Sequence, residues 1–256
     1  MNTNKNSYIF IYASVMVIIV AFLLAFVSSA LKPIQQKNVE LDKKKQVLAA
    51  LNIFEKDAEA AYNTYVKADQ LLNADGTVAA ENGGFAVENA AVSEAQLPLY
   101  VCEVEGETKY VLPLYGAGLW GPIWGYVALN ADKESIYGVY FSHSGETPGL
   151  GAEITNRDKF QVPFIGKKAL DADGNVVISV VKNGKVQNPD TEVDGISGGT
   201  ITSQGVDAML KSGIGLYKAF LTKKCEAAKA CEAAQCAADS ACVESVPAAK
   251  IEVVNQ

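Results

Sequence analysis

From Tyr8 to Leu31 the chain runs YIFIYASVMVIIVAFLLAFVSSAL, 24 residues without a formally charged side chain. A helix of that length rises about 36 Å, enough to cross a hydrocarbon core of about 30 Å with some tilt. Ser28-Ser29-Ala30 offers a small-residue site that a signal peptidase would accept. The apolar run nevertheless exceeds the usual ~7 to 15 residue core of a signal peptide, so an uncleaved single-pass anchor is the expectation. Lys5 precedes the run, whereas Lys32, Lys37, Lys43, Lys44 and Lys45 follow it. A bare count of positive charges would therefore leave the C-terminal side in the cytoplasm.

Composition narrows the classes left to the remainder. With 22 Lys+Arg against 29 Asp+Glu the net charge is −7, so no basic face exists to neutralise nucleic-acid phosphates. At 49% hydrophobic and 20% charged the chain is not of disordered composition. The single histidine, His143, argues against a histidine-rich metal site and against a Ser-His-Asp enzyme.

Residues 34 to 68 place Val47, Leu48, Leu51 and Phe54 on one helical face, and neither Gly nor Pro occurs from Gln35 to Leu72; this predicts a helix leading away from the membrane. Residues 73 to 96, with Asp75-Gly76 and Asn82-Gly83-Gly84, predict a loop containing one short strand. Strands are expected at 97 to 105, 109 to 116, 123 to 130, 135 to 142 and 176 to 182, rich in Val, Ile and Tyr. From Ser203 to Leu221 the period changes, and Val206, Met209, Leu210, Gly213, Tyr217 and Phe220 form one helix face. Strands in series with helices at the ends predict an α+β fold with a mixed or antiparallel sheet. The Ala-rich segment 225 to 256 carries Cys225, Cys231, Cys236 and Cys242 at spacings that match neither a zinc nor a haem pattern. Two readings stay open for it, a disulfide-stapled hairpin outside the cytoplasm or reduced cysteines on a helical tail. Oxidation of at least two is expected, through a hairpin or irregular tail, because a straight helix would hold Cys225 and Cys236 about 16 Å apart.

Three stretches carry the chemistry. The first, Asp194-Gly195-Ile196-Ser197-Gly198-Gly199-Thr200-Ile201-Thr202-Ser203, is a glycine-permitted turn that delivers hydroxyls to a helix N-terminus, where free N–H groups favour an anion. The same spacing fits an ordinary strand-to-helix turn with Ser or Thr as the cap. The second, His143-Ser144-Gly145-Glu146-Thr147-Pro148-Gly149-Leu150-Gly151-Ala152-Glu153, contains a Pro-Gly pair suited to a type II turn. The third, Tyr115 to Gly125, brings Trp120 and Trp124 into one glycine-rich turn, where they pack as core or wall a flat ring.

Together these stretches resemble the FMN-binding domain shared by the NqrC family of the sodium-translocating NADH:quinone oxidoreductase and the RnfG family of the related Rnf complex. HxxETPGLGAEI and GLWxPxxGYxAL are closer to NqrC. The resemblance runs from the anchor to about Leu221, and Gly199 stands where the family usually has Ala. It implies FMN carried as a phosphoester on the last Thr of the family's Asp-x-x-Ser/Thr-Gly-Ala-Thr pattern, which falls on Thr200, with Asp194, Ser197, Gly198 and Gly199 completing the motif. It further implies that Glu146 and Thr147 meet the polar edge of the ring and that Trp120 and Leu150 pack on its faces. His143 is read as structural or a pocket wall ahead of a proton shuttle, which a one-electron relay does not require. Asp194 is read either as organising the motif or as a turn carboxylate.

The implied function is a membrane-anchored electron relay within the sodium-translocating, quinone-reducing complex, not catalytic alone. The partners are the other subunits, the lipid bilayer and, during maturation, a separate Mg²⁺-dependent flavin transferase that takes FMN from FAD. One uncharged helix offers no Na⁺ ligand, so translocation is assigned elsewhere in the complex. The expected layout is a cytoplasmic N-terminus at 1–7, the anchor at 8–31, a membrane-proximal helix and loop at 32–96, the FMN-binding domain at 97–224 and the tail at 225–256. All but the first two segments would be periplasmic, beyond a bacterial inner membrane, because the family's transferase works outside the cytoplasm. The alternatives are the homologous RnfG flavoprotein of the Rnf ferredoxin:NAD oxidoreductase complex and, from another class, an anchored extracytoplasmic binding or structural module.

Overall fold

The computed structural model describes residues 6 to 223; the four tail cysteines and the disulfide expectation lie outside them. Helix α1 spans Asn6–Ala50, 45 residues, or about 67 Å at 1.5 Å per residue. Among the described residues it is the one helix long and apolar enough to cross a membrane, and none of its most apolar window is buried. The expected anchor and membrane-proximal helix are thus one uninterrupted rod, with Pro33 inside it. The rod ends at Asn52, whose φ of 59° is left-handed and whose amide side chain donates to Tyr137 O. Asn tolerates that conformation because its short polar side chain bonds locally. Val47, Leu48 and Leu51 are buried as expected, but Phe54 is exposed, because the helix has ended before it and its ring lies against the Arg157 guanidinium instead.

Helix α2 (Ala58–Tyr65) is capped by Asp57, which accepts from Glu59 and Ala60 N–H. It passes straight into β1 (Val66–Leu72), where the sequence predicted helix. Pairing with β3 (Leu97–Val104) overrides local propensity there. β2 (Val78–Ala80), β4 (Glu107–Ala117), β5 (Pro122–Leu129) and β6 (Ile136–His143) complete a six-stranded antiparallel sheet ordered β2-β1-β3-β4-β5-β6. The sheet therefore begins well before residue 97. The run expected at 176 to 182 narrows to β7 (Ser179–Val181), which pairs in parallel with β8 (Glu192–Asp194) in a separate small sheet. Helix α3 spans Thr200–Leu216, three residues earlier than the predicted start. The architecture is the expected α+β.

Both faces of the large sheet are covered. One face packs Leu99, Leu112, Leu114, Val127 and Phe141 against Val206, Met209, Leu210 and Ile214 of α3. The other packs Tyr100, Cys102, Val111, Tyr126 and Ala128 against Val47, Ala50 and Leu51 of α1. Burial on two sides explains why the strands read as near-continuous apolar runs. It also means that the C-terminal part of the long apolar helix α1 itself supplies part of the core.

Candidate functional site

The three stretches meet at one end of the sheet. The turn between β4 and β5 supplies Leu119 and Trp120, the loop after β6 supplies Glu146, Thr147, Leu150 and Gly151, and the start of α3 supplies Gly198 to Thr202. They line a cleft of about 230 Å³. Going from Ala50 back to Gln46 along α1, toward the anchor, the contacts on the sheet move from Gly138, paired with Ala128, to Trp124, whose Nε1 donates to Gln46 at 3.1 Å. Continuing in that direction along β5 leads to Pro122 and the 118–121 turn. The cleft therefore sits at the anchor-facing end of the domain.

Two turns shape its walls. Leu150 N–H bonds to Thr147 O at 3.1 Å with Gly149 at φ 76°, which is the geometry a type II turn requires of Pro148-Gly149. Gly199 N–H bonds to Ile196 O at 3.1 Å with Gly198 at φ 77°, so Ser197-Gly198 forms a second such turn. A Cβ on Gly198 would come within 2.8 Å of Leu150 Cδ2, which is how closely the two walls approach.

The residue preceding α3 is Gly199, and no side chain caps the helix. Ser203 does not cap it; its hydroxyl donates to Gly199 O and accepts from Ile196 N–H, both at 2.9 Å. The ordinary capped turn is therefore not what forms. The N–H groups of Thr200, Ile201 and Thr202 have no intrahelical acceptor, and the first intrahelical bond runs from Ser203 N to Gly199 O. Three further hydroxyls surround this terminus. Thr202 is buried and donates to Glu146 Oε2 at 2.7 Å, Ser197 is exposed on the turn outside the cleft lining, and Thr200 is exposed on the lining itself. On its other side Thr200 borders a polar hollow of about 240 Å³ lined by Lys182, Asn183, Ser203, Gln204 and Asp207 among others.

Glu146 joins the three stretches. Only 5% exposed, it accepts from Trp120 N–H at 2.9 Å through Oε1 and from the Thr202 hydroxyl through Oε2. Burial alone would push its carboxyl up, but the bonds from Trp120, Thr202 and Leu119, with His143 nearby, outweigh it and hold the group below its ordinary value. A carboxylate whose folded pKa is depressed stabilises the fold above its unfolded pKa, and that contribution is lost as pH falls through the folded value. The stability that Glu146 contributes to the flavin-free chain should therefore be lost only below the ordinary carboxylate range, as a component of acid unfolding that Glu146→Gln removes. Superimposable acid-unfolding curves for the two proteins would contradict this. Sequence reading does not single out Thr202, Gly118 or Gly151 as part of the site. A Cβ on Gly118 or on Gly151 would collide with the Glu146 carboxylate.

His143 Nδ1 accepts from Glu146 N–H at 3.1 Å, which makes it a brace of the loop. Asp194 lies outside the cleft lining and accepts from Gly184 N–H, in the loop after β7, at 2.7 Å. Around the mouth Leu119, Trp120, Leu150 and Ile201 are 48, 69, 44 and 54% exposed. Covering a large apolar side chain fully is worth about 1.5–3 kcal/mol, so this rim favours a ligand with an apolar surface. Among the described residues no group of acidic, His or Cys side chains is arranged to hold a metal ion.

Residues 118–215 match the family model of the FMN-binding domain, a range that holds the whole cleft. The NqrC protein of the Na⁺-translocating NADH-quinone reductase of Pseudomonas aeruginosa is 30% identical, over 86% of this chain and 96% of that protein. Its counterpart in Haemophilus ducreyi is 31% identical, over 79% and 89%. The crystal structure of the Parabacteroides distasonis counterpart superimposes with a TM-score of 0.70 at 45% identity, covering 75% of this chain and 97% of the other. By sequence and by fold, then, the chain belongs to the NqrC family of Na⁺-translocating NADH-quinone reductase subunits.

Proposed function

We propose that the chain carries FMN as a phosphoester on Thr200 and relays electrons within a Na⁺-translocating NADH:quinone reductase, with residues 32 to 256 on the periplasmic side. The observation that carries this reading is the arrangement of hydroxyls. Among the hydroxyls of the turn that opens α3, Thr200 alone is exposed on the cleft lining, while Thr202 and Ser203 are engaged by the fold and Ser197 lies off the lining. The residues fit the group at both ends. Free N–H groups opening α3 favour a phosphate by about 0.3–2 kcal/mol, Lys182 lines the adjoining hollow, and the apolar rim suits a planar ring. The cleft's 230 Å³ falls short of the ~300–1,000 Å³ of pockets that enclose a ligand. A covalent tether supplies the retention that such a shallow site lacks.

Bound FMN accepts and releases electrons, and that is the chemistry it supplies. The protein's own part is to hold the phosphate end with Thr200 and the N–H groups of Thr200, Ile201 and Thr202, and to wall the ring with Trp120, Leu150, Leu119 and Thr147. No attachment chemistry is required of this chain, since a separate flavin transferase would make the ester from FAD. The anchor-facing position of the cleft suits exchange with membrane-embedded redox partners in the other subunits. Two of the five lysines that run against the charge-count rule have uses in the folded domain. Lys43 donates to Phe85 O and Val87 O, and Lys44 pairs with Glu59.

Chain made together with a flavin transferase should keep yellow fluorescence after denaturation in detergent and electrophoresis. Chain made without the transferase should lose it. Loss from both would contradict the covalent reading. A C-terminal reporter active only outside the cytoplasm is the expected topology result, and one active only inside would overturn the orientation.

A further inference from the structure

Glu146 is a carboxylate that the cleft is built around. It lines the cleft together with Thr200 and is 5% exposed. The hydrogen bonds its carboxylate accepts come from neutral donors, Trp120 N–H and the Thr202 hydroxyl. Among the described residues no Lys or Arg forms a salt bridge with it, and His143 is a titratable neighbour. Donors of this kind stabilise the anion without cancelling its charge. Space is reserved for it as well, since side chains at positions 118 and 151 would strike its oxygens and both positions are Gly.

Resting on the flavin reading, we infer that Glu146 is a potential-setting residue, whose fixed negative charge at the cleft lowers the reduction potential of the group held there. Reduction adds an electron, supplied by the upstream donor of the relay, to a site that already holds a negative charge from which water is largely excluded. Repulsion is weakly screened in such surroundings, so the oxidised state is favoured. The two neutral donors moderate the effect, and Thr202 moderates it most adjustably because its hydroxyl is a side-chain group. A carboxylate that served only to tie the walls together would be replaceable by its neutral isostere without moving the potential.

The test is a redox titration, followed by the flavin spectrum, of the full-length flavinylated chain in detergent. Glu146→Gln should shift the midpoint to a more positive value, Glu146→Asp should stay near wild type because it keeps the charge, and Thr202→Val should shift it to a more negative value by removing a donor from the carboxylate. If Glu146→Gln takes up no flavin, the direction of the Thr202→Val shift decides. An unchanged or more negative midpoint in Glu146→Gln, or an unchanged or more positive one in Thr202→Val, overturns the inference. Acid unfolding of the flavin-free chain provides a readout that needs no flavin, since the ionised carboxylate must already be present in the empty cleft. Should the wild-type chain carry no covalent flavin, the phosphoester reading fails. FMN supplied in solution to the same variants would then be titrated in the same way, so the two ideas can fail separately.

Discussion

Thr200→Val should abolish covalent flavin while leaving the domain folded. The substitution deletes one hydroxyl and keeps the β-branched shape, at an exposed position in the first turn of α3. Exposed substitutions away from special features change stability by about 0.5 kcal/mol or less, so the unfolding transition of the flavin-free chain should be unmoved. Activity of the complex should fall with the flavin content. Thr200→Ser should retain partial attachment, because it keeps the acceptor oxygen but frees the χ1 rotamer that the methyl group restricts. Ser197→Ala should carry flavin at the wild-type level. A Thr200→Val protein that is folded and still covalently yellow would move the acceptor to another residue.

Two glycines of α3 should respond in opposite directions to the same change. At Gly205 an added Cβ would collide with Ala117 O and lie 3.5 Å from Gly118 Cα, both backbone atoms that cannot swing aside. The helix would have to lift from β4, and overpacking of this sort costs about 1–3 kcal/mol. Lifting the N-terminus of α3 also pulls Thr200 to Thr202 away from the 118–121 turn, so Gly205→Ala should lower flavin attachment as well as stability. At Gly215 an added Cβ meets nothing within 4 Å, and replacing a helical Gly by Ala gains about 0.5–1 kcal/mol. Urea unfolding of the two variants should therefore place their midpoints on opposite sides of wild type. Midpoints that coincide would mean that α3 does not rest closely on β4.

The legible parts of the fold were those in which local pattern and tertiary role agree. β3 to β6 are Val, Ile and Tyr runs bounded by turn residues, and they pair in chain order. β1 was not legible, since VKADQLL has no turn signal before it and contains Lys, Asp and Gln; its strand state comes from β3, more than twenty residues away. The start of α3 was misplaced because Ser203 looks like a cap in sequence, whereas its hydroxyl turns back to Gly199 and Ile196. Phe54 continues a helical spacing past a helix that Asn52 has already ended. Within the site, each glycine-rich stretch was visible alone, but their convergence was drawn from the family resemblance and not from spacing. The tie between them was invisible, for Glu146 reaches back 26 residues to Trp120 and forward 56 to Thr202.

The central claim, that FMN is esterified to Thr200, is tested most directly by mass spectrometry of the chain produced with an active flavin transferase. Trypsin cleaves after Lys185 and Lys211, releasing residues 186 to 211 with Ser197, Thr200, Thr202 and Ser203 in one peptide. The predicted result is that this peptide carries the mass of FMN less one water, with fragment ions placing the addition on Thr200. The same addition on Ser197, Thr202 or Ser203, or an unmodified peptide from protein made with an active transferase, would refute the assignment.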